Sequence, residues 1–541
     1  MEHDKAILEA SARHAKPEGQ SFEYGTAGFR MKANILDSTV YRVGLLAALR
    51  SRKLNGHTIG VMITASHNPP QDNGVKLVDP MGEMLETSWE AYATELANAP
   101  SDQALVDAYH KIAESQKIKL SAPARVIFAR DTRASGSRLA ANLVDALKAT
   151  EVDYEDFKLL TTPQLHYLVR CDNTKGTQYA YGDVSEKGYY EKLSDAFKRA
   201  MKGPSASNGT LTVDCANGVG GPKLRELMKY LPTAKDGGID IRVVNDDVLK
   251  PEMLNVECGA DFVKTQQRAP PSSKAASGDR CASYDGDADR IVYYFLEGTT
   301  FRLLDGDRIA TLAASFLADL ARTSGLVEEL KVGIVQTAYA NGASTKYVEE
   351  NLKMEVVFTP TGVKWLHHAA TRFDIGVYFE ANGHGTVLFS DTALKAISQY
   401  QPKSPAQATA LETLRALTDL INQTVGDALS DMLLVEVILA HKGWTPKEWL
   451  NTYVDLPNRL LKVEVRDRGM FKTTDAERRL ESPPGIQENI DKLVGQYRNG
   501  RSFARASGTE DAVRVYAEAA SRTEADALAQ KVAEQVKIHG A

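Results

Sequence analysis

Ser66 lies in Thr64-Ala65-Ser66-His67-Asn68-Pro69-Pro70, a polar loop closed by two prolines just after the apolar run Thr58–Ile63. A buried strand ending in such a loop holds side chains at the carboxyl edge of a sheet, where α/β proteins bind ligands. A serine hydroxyl is a weak nucleophile by itself, so His67 and Lys76 matter as proton carriers or charge partners. The competing reading is an ordinary turn with a solvated serine. Asp285-Gly286-Asp287-Ala288-Asp289-Arg290 is more specific. In an extended loop alternate side chains share a side, so three carboxylates at i, i+2 and i+4 can converge on one cation. Unpaired they would repel one another, which points to a hard divalent ion with oxygen ligands. A helix-loop-helix calcium site is excluded, because it wants Gly at its sixth position and Glu at its twelfth. Here those positions hold Arg290 and Leu296. An acidic turn accepting backbone hydrogen bonds is the alternative.

Two further stretches suit a phosphorylated, hydroxyl-rich ligand. Arg505-Ala506-Ser507-Gly508-Thr509-Glu510, followed by Arg514, combines forked guanidinium donors with short hydroxyl and backbone donors, the ingredients of a phosphate cradle. A solvated turn is the other reading. Glu380-Ala381-Asn382-Gly383-His384-Gly385 follows the strand-like run Ile375–Phe379. Acid, amide, imidazole and bare backbone together suit sugar hydroxyls, which both donate and accept; Asn-Gly is also common turn chemistry. Asp305-Gly306-Asp307-Arg308 carries only two carboxylates before a helical pattern and reads as a helix N-cap.

The elements that must position these loops follow a repeated scheme. Arg125–Arg130, Thr210–Val213 and Val332–Val335 are apolar strand-like runs, each followed by a small-residue loop and then a helical pattern. Strand, loop and helix in that order favour parallel sheets built from β-α-β crossovers. The glycine-rich loops match neither GxGxxG nor GxxxxGK[ST], so nucleotide-binding motifs are absent. The helix Arg308–Ala321 is apolar on one face, and after Ser390 the chain turns mostly helical, with Gln401–Ala410 expected as a surface connection. After Pro457 the run Leu460–Asp467 begins to alternate, as a sheet of another kind would. Ser521 with Glu524 three residues on predicts a capping box for the last helix. The fold class is α/β, three α/β blocks and then a smaller α+β one. The boundaries expected are 1–190 with the serine loop, 191–298 with the acidic loop, 299–450 with the Glu380 loop and 451–541 with the Arg505 loop.

At 541 residues the chain exceeds a single core, and 43% hydrophobic with 25% charged residues is ordinary for a globular protein. The net charge of −6, from 71 acidic and 65 basic residues, gives no basic excess for nucleic acid. Positive potential must be local, a few arginines around a small anion. Cys171, Cys215, Cys258 and Cys281 are widely spaced and form no CxxC pair, so reduced buried thiols are expected. The first residues are charged, with no apolar signal core, and no run of 18 apolar residues exists to span a membrane. The location expected is the cytoplasm, and no obligate protein partner is evident.

The motifs T-A-S-H-N-P, D-G-D-x-D-R, E-x-x-G-H and R-x-S-G-T-E, in that order across essentially the whole chain, resemble the α-D-phosphohexomutase superfamily. Within it the chain most resembles the eukaryotic phosphoacetylglucosamine mutases, through Ile63–Leu85 and Glu380–Thr386. The superfamily's usual sugar loop is E-x-S-G-H; Asn382 stands where that serine would be, a variant expected of this branch. The resemblance implies a four-domain architecture around a central cleft, three mixed or parallel-sheet α/β domains and a C-terminal α+β domain. It implies that Ser66 is carried as phosphoserine, with Mg2+ held by its phosphate and by Asp285, Asp287 and Asp289. Glu380, Ala381, Asn382, Gly383 and His384 would bind the sugar, and Arg505, Ala506, Ser507, Gly508, Thr509 and Arg514 the phosphate that is not reacting. Arg30, His67, Lys76 and Arg290 would complete the catalytic group, with Lys76 the first choice for proton transfer and His67 the second. Thr361–Lys364 would sense which way the sugar lies. The ligands implied are a phosphosugar substrate and a sugar 1,6-bisphosphate intermediate. A phosphoglucomutase or phosphomannomutase, a metal-dependent serine phosphomonoesterase and a non-catalytic sugar-phosphate binder are the competing functions; a phosphomonoesterase has no need of the second phosphate loop.

Overall fold

A computed structural model of the chain describes residues 2–204, 209–507 and 511–540. The chain divides into two units, Met1–Leu303 with Arg415–Gly443, and Leu304–Leu414 with Trp444–Ala541.

In the first unit, β1 (Phe29–Lys32), β2 (Thr58–Ile63), β3 (Asp72–Val78), β4 (Arg125–Arg130) and β5 (Asp153–Leu159) form a sheet of order β1-β3-β2-β4-β5. β2 is buried along its length, as its unbroken apolar run requires of a strand covered on both faces. It runs parallel to β4 and antiparallel to β3, with Ile63 opposite Arg130. The loops after β2 and β4 therefore leave the sheet at the same edge. The helix Asp37–Lys53 covers this sheet beside the helix Gly136–Ala149. Gly44 lets them meet closely, since a Cβ there would stand 2.6 Å from that of Ala146.

The second sheet of this unit joins β6 (Leu211–Asp214), β7 (Ile241–Val244), β8 (Arg280–Tyr284), β9 (Ile291–Glu297) and β10 (Thr300–Leu304) in the order β10-β9-β8-β6-β7. β6 is parallel to β7 and β8, and β8 is antiparallel to β9, so the acidic loop is the turn between β8 and β9. A distant helix, Ala428–Lys442, returns to complete this unit, buried from Ala428 to Leu439. Its Glu436 pairs with Arg280 at 3.0 Å and accepts from Tyr293 at 3.2 Å. The Ala428 N–H donates to Ala288 O at 3.0 Å, so the helix N-terminus supports the acidic loop.

In the second unit, β11 (Val332–Thr337), β12 (Glu355–Thr359), β13 (Ile375–Phe379) and β14 (Gly385–Phe389) form a sheet of order β12-β11-β13-β14, antiparallel only at β13–β14. β15 (Asn458–Glu464), β16 (Thr473–Thr474), β17 (Arg479–Leu480), β18 (Arg501–Ala506) and β19 (Ala512–Glu518) supply an antiparallel sheet β15-β19-β18 and a small β16–β17 pair. Parallel and mixed sheets followed by an antiparallel one match the predicted order of blocks. Asp305 caps the helix Gly306–Ser324 by accepting from Asp307 N at 3.1 Å, and Ser521 caps the helix Arg522–Gly540, its Oγ accepting from Glu524 N at 3.3 Å and donating to Glu524 Oε2 at 2.8 Å.

Two local expectations change. Gln401–Ala410 is a connection only in its first half, because a helix begins at Pro405, where a missing N–H and fixed φ suit the first turn. The acidic loop is also not extended: Gly286 and Asp287 turn, and Ala288 has φ +56. The four cysteines are buried and free of disulfides. Among the described residues no helix is long and apolar enough to cross a membrane.

Candidate active site

In the first unit the structure brings Ser66 to the acidic loop. Ser66 is buried at φ +50, and its Oγ donates to Asp285 Oδ2 at 2.6 Å. The backbone N–H of Ser66 donates to Thr64 Oγ1 at 2.9 Å, and Thr64 Oγ1 donates to Asp131 Oδ2 at 2.7 Å. His67 Nδ1 lies 3.4 Å from Ser66 Oγ. Lys76, on β3, places Nζ 3.8 Å from Asp287 Oδ2 and 3.7 Å from Asp289 Oδ2.

Each of Asp285, Asp287 and Asp289 offers an oxygen within 4.8 Å of the others, and all three residues are buried. The turn, rather than extended alternation, achieves this. Asp285 Oδ1 accepts from the N–H groups of Asp289 and Arg290 at 3.1 Å each, which folds the loop back on its first residue. Thr162 Oγ1 donates to Asp287 Oδ2 at 2.6 Å, while Asp287 Oδ1 is buried without a hydrogen bond. Burial, then the neighbouring Asp289 and Asp287, pushes the Asp285 carboxyl well above the usual range. Three buried carboxylates with an unused oxygen fit a divalent cation ligated by oxygen.

Opposite charge gathers around the serine. Arg30 on β1 donates to Asn68 Oδ1 at 3.4 Å, and Arg290 Nε lies 3.8 Å from Asp285 Oδ2. The positive field of Arg290, then burial, then Arg30, pushes His67 down to about 2, so its ring is neutral. Burial, then Arg290, lowers Arg30 as well. Cations crowded at such cost around a hydroxyl suit a multiply charged anion.

In the second unit, the Glu380 loop is a tight turn between β13 and β14. Glu380 N donates to His384 O at 2.8 Å, Gly383 N donates to Glu380 O at 2.9 Å, and Gly383 takes φ +91. Asn382 Oδ1 accepts from His384 N at 2.9 Å, while its Nδ2 donates to Glu380 Oε2 at 3.2 Å. One amide thus shapes the turn and orients the acid. Ala381 O accepts a 3.4 Å bond from Gly306 N, and His384 is buried.

Arg505 and Arg514 face each other across β18 and β19, and Arg514 faces Lys462 across β19 and β15. Directly opposed like charges are unfavourable in a sheet, so such a row needs negative groups beside it. Ala506 ends β18, and Ser507 N donates to Ala512 O at 2.7 Å. Gly508 and Thr509 lie outside the described residues. Glu477 Oε2 accepts from Thr361 N at 2.9 Å and Thr361 Oγ1 at 2.6 Å, and lies 3.2 Å from Arg505 Nε. It joins Arg505, at the end of β18, to the Thr361–Lys364 segment.

Several contributors escape a reading by motif. Arg133, Thr162, Lys462 and Glu477 are single residues on other elements.

Comparison with known proteins agrees with this geometry. Family models match in four segments: "Phosphoglucomutase/phosphomannomutase, alpha/beta/alpha domain I" at 44–104 and 97–178, "Phosphoacetylglucosamine mutase AMG1, domain II" at 184–292, its domain III at 305–444, and "Phosphoglucomutase/phosphomannomutase, C-terminal domain" at 460–535. The phosphoacetylglucosamine mutase of Sus scrofa is 52% identical over 532 residues, 97% of this chain and 96% of that one. An Aspergillus fumigatus N-acetylphosphoglucosamine mutase, solved in complex with GlcNAc-6P and magnesium, is 67% identical with a TM-score of 0.97, covering 100% of both chains. Its serine-to-alanine form in complex with glucose 1,6-bisphosphate gives a TM-score of 0.95 at 67% identity, covering 100% of this chain and 99% of that one. Identity of this extent, carried from the serine loop to the Arg505 loop, leaves one conclusion: the chain belongs to the phosphoacetylglucosamine mutase family.

Proposed function

We propose that the chain interconverts N-acetylglucosamine 6-phosphate and N-acetylglucosamine 1-phosphate, through phosphoserine at Ser66 and a sugar 1,6-bisphosphate, in UDP-N-acetylglucosamine biosynthesis. The observation that carries this is the 2.6 Å hydrogen bond from Ser66 Oγ to Asp285, inside a buried three-carboxylate cluster ringed by arginines. The same reading gives four domains, 1–190, 191–298, 299–450 and 451–541, with one motif each, and a cytoplasmic enzyme.

Asp285, Asp287, Asp289 and the Ser66 phosphate would hold magnesium, which when bound supplies charge neutralisation to the phosphoryl oxygens. Phosphoryl transfer asks chiefly for positioning and electrostatic support. The P–O bond to Ser66 breaks as a bond forms to the sugar C1 oxygen; the C1 hydroxyl proton leaves to a base, and Ser66 Oγ takes up a proton to end as the hydroxyl. Lys76 is the first choice for that base. His67 is second, because the arginines that keep its ring neutral oppose a proton resting there. Arg30 and Arg290 hold the phosphoryl group. The bisphosphate then turns end for end and returns its 6-phosphate to Ser66. Either phosphate must therefore fit one distal cradle, the role given to Arg505, Ala506, Ser507, Gly508, Thr509 and Arg514. Glu380, Ala381, Asn382, Gly383 and His384 bind the sugar, and Thr361–Lys364 reads its orientation.

The test is a coupled assay of N-acetylglucosamine 6-phosphate against glucose 6-phosphate, primed with glucose 1,6-bisphosphate and magnesium. Preference for the acetylated sugar is expected. A preference for glucose phosphate would make the chain a phosphoglucomutase, and steady release of inorganic phosphate would make it a phosphomonoesterase.

A further inference from the structure

The backbone of the serine loop is gripped by two side chains that touch no reacting atom. Arg133, from the loop after β4, donates through Nη2 to Ser66 O at 2.8 Å and Asn68 O at 2.9 Å. Its Nη1 donates to Pro69 O at 2.6 Å and Asp72 O at 2.9 Å, and its Nε to Asp131 Oδ2 at 3.0 Å. Asn255, from the segment after β7, donates through Nδ2 to the same two carbonyls, Ser66 O at 2.9 Å and Asn68 O at 3.1 Å. A primary amide carries two N–H groups, so one can serve each carbonyl.

Asn255 belongs to the side of the acidic loop. Its own N–H donates to Ala216 O at 2.9 Å, in the loop after β6. A Cβ built on Gly286 would stand 2.6 Å from Ser66 O and 3.1 Å from Asn255 Nδ2. Ser66 O, Gly286 and the Asn255 amide are therefore packed together where the serine loop meets the acidic loop. Ser66 is held at φ +50, which a residue with a Cβ seldom adopts without outside support. Arg133 supplies that support from within the serine's own sheet. Asn255 supplies it from the sheet that carries the carboxylates.

We propose that Asn255 is a positioning residue for phosphoryl transfer, tying the Ser66 backbone to the acidic loop so that Ser66 Oγ keeps its register with Asp285. This rests on Ser66 being the phosphoryl carrier. Transfer is steeply sensitive to small displacements of the reacting group, whereas substrate affinity is set by loops elsewhere in the chain. Loss of the amide therefore lowers kcat and spares KM.

Asn255 is only partly buried and sits at φ +59, so Asn255→Gly keeps the backbone conformation while deleting the amide. The full-length variant is assayed with N-acetylglucosamine 6-phosphate, glucose 1,6-bisphosphate and magnesium, beside Ser66→Ala, with thermal unfolding and magnesium calorimetry of each. A fall in kcat of tenfold or more is expected, with KM and magnesium affinity within about threefold and the unfolding midpoint unchanged. Wild-type kcat in Asn255→Gly, with Ser66→Ala inactive, overturns the proposal alone. Activity surviving in Ser66→Ala overturns the phosphoserine reading beneath it. A midpoint that falls together with kcat makes Asn255 a structural residue and also overturns the proposal. Should Asn255→Gly not fold, the isosteric Asn255→Asp, which lacks both donors, is held to the same outcomes.

Discussion

Gly286→Ala tests the contact between the serine loop and the acidic loop without removing a functional group. The new Cβ would begin 2.6 Å from Ser66 O, a backbone atom that cannot swing aside. Reaching tolerable contact at 3.0–3.4 Å requires the loops to part by roughly 0.4–0.8 Å. The hydrogen bond from Ser66 Oγ to Asp285, 2.6 Å at rest, would stretch to about 3.0–3.4 Å, from the long end of the normal range to beyond it. A misplacement of about 1 Å at a reacting group costs about 100-fold in rate, so this shift should cost about 10- to 100-fold in kcat. Overpacking of this kind also costs about 1–3 kcal/mol of stability, which leaves the chain folded at assay temperature. The measurement is kcat in the primed, coupled assay, with circular dichroism to confirm folding. A folded variant with kcat within twofold of wild type would refute the argument that this contact sets the position of the serine.

Other perturbations separate the roles of the remaining groups. Ser66→Ala should abolish turnover while the fold survives; near-normal activity in a folded variant would sink the phosphoserine reading. In Asp287→Asn activity should fall sharply and recover only partly at high magnesium. If chelators leave wild-type activity untouched and calorimetry detects no magnesium, the loop is an acidic turn and nothing more. Asn382→Ser should lower kcat/KM for acetylglucosamine phosphates by about 10- to 100-fold, as for losing one or two buried hydrogen bonds of ~1–3 kcal/mol. Equal losses on glucose phosphates would place acetyl selectivity elsewhere. On the reading that Arg505 holds the substrate phosphate, Glu477→Gln should lower KM by up to about fivefold, because the phosphate would no longer compete with a carboxylate for it. A rise in KM would mean that Glu477 holds Arg505 in place for the phosphate.

What could be read from the sequence was whatever chemistry is written in consecutive residues. Thr58–Ile63 announced a buried strand, and three aspartates at alternate positions announced a cation site. The carboxylates converge, however, through a turn closed on Asp285 Oδ1 and not through an extended loop. The supports of the serine loop were hidden for a different reason. Arg133 and Asn255 stand 67 and 189 residues from Ser66, and only sheet topology brings them to its carbonyl. Lys462 was hidden likewise, because its place beside Arg514 depends on antiparallel register. Side chains gathered in one loop left a local trace; those placed by sheet register, or holding backbone from another element, left none.

The helix Ala428–Lys442 bears on how the chain is made. It belongs to the first unit, yet the ribosome delivers it only after Leu304–Leu414. Until then Arg280 lacks Glu436, Ala288 O lacks the Ala428 N–H, and Tyr284 and Tyr293 lack Met432. At about 5–20 residues per second, the roughly 140 residues from Leu303 to Gly443 take about 7–28 s to emerge. The nascent acidic loop spends that interval without its buttress, and a chain truncated at Leu303 never gains it. Expression of the N-terminal half alone should therefore give an aggregation-prone product, and the same fragment supplied with Arg415–Gly443 through a linker should be the smallest soluble piece that keeps the serine and the aspartates together.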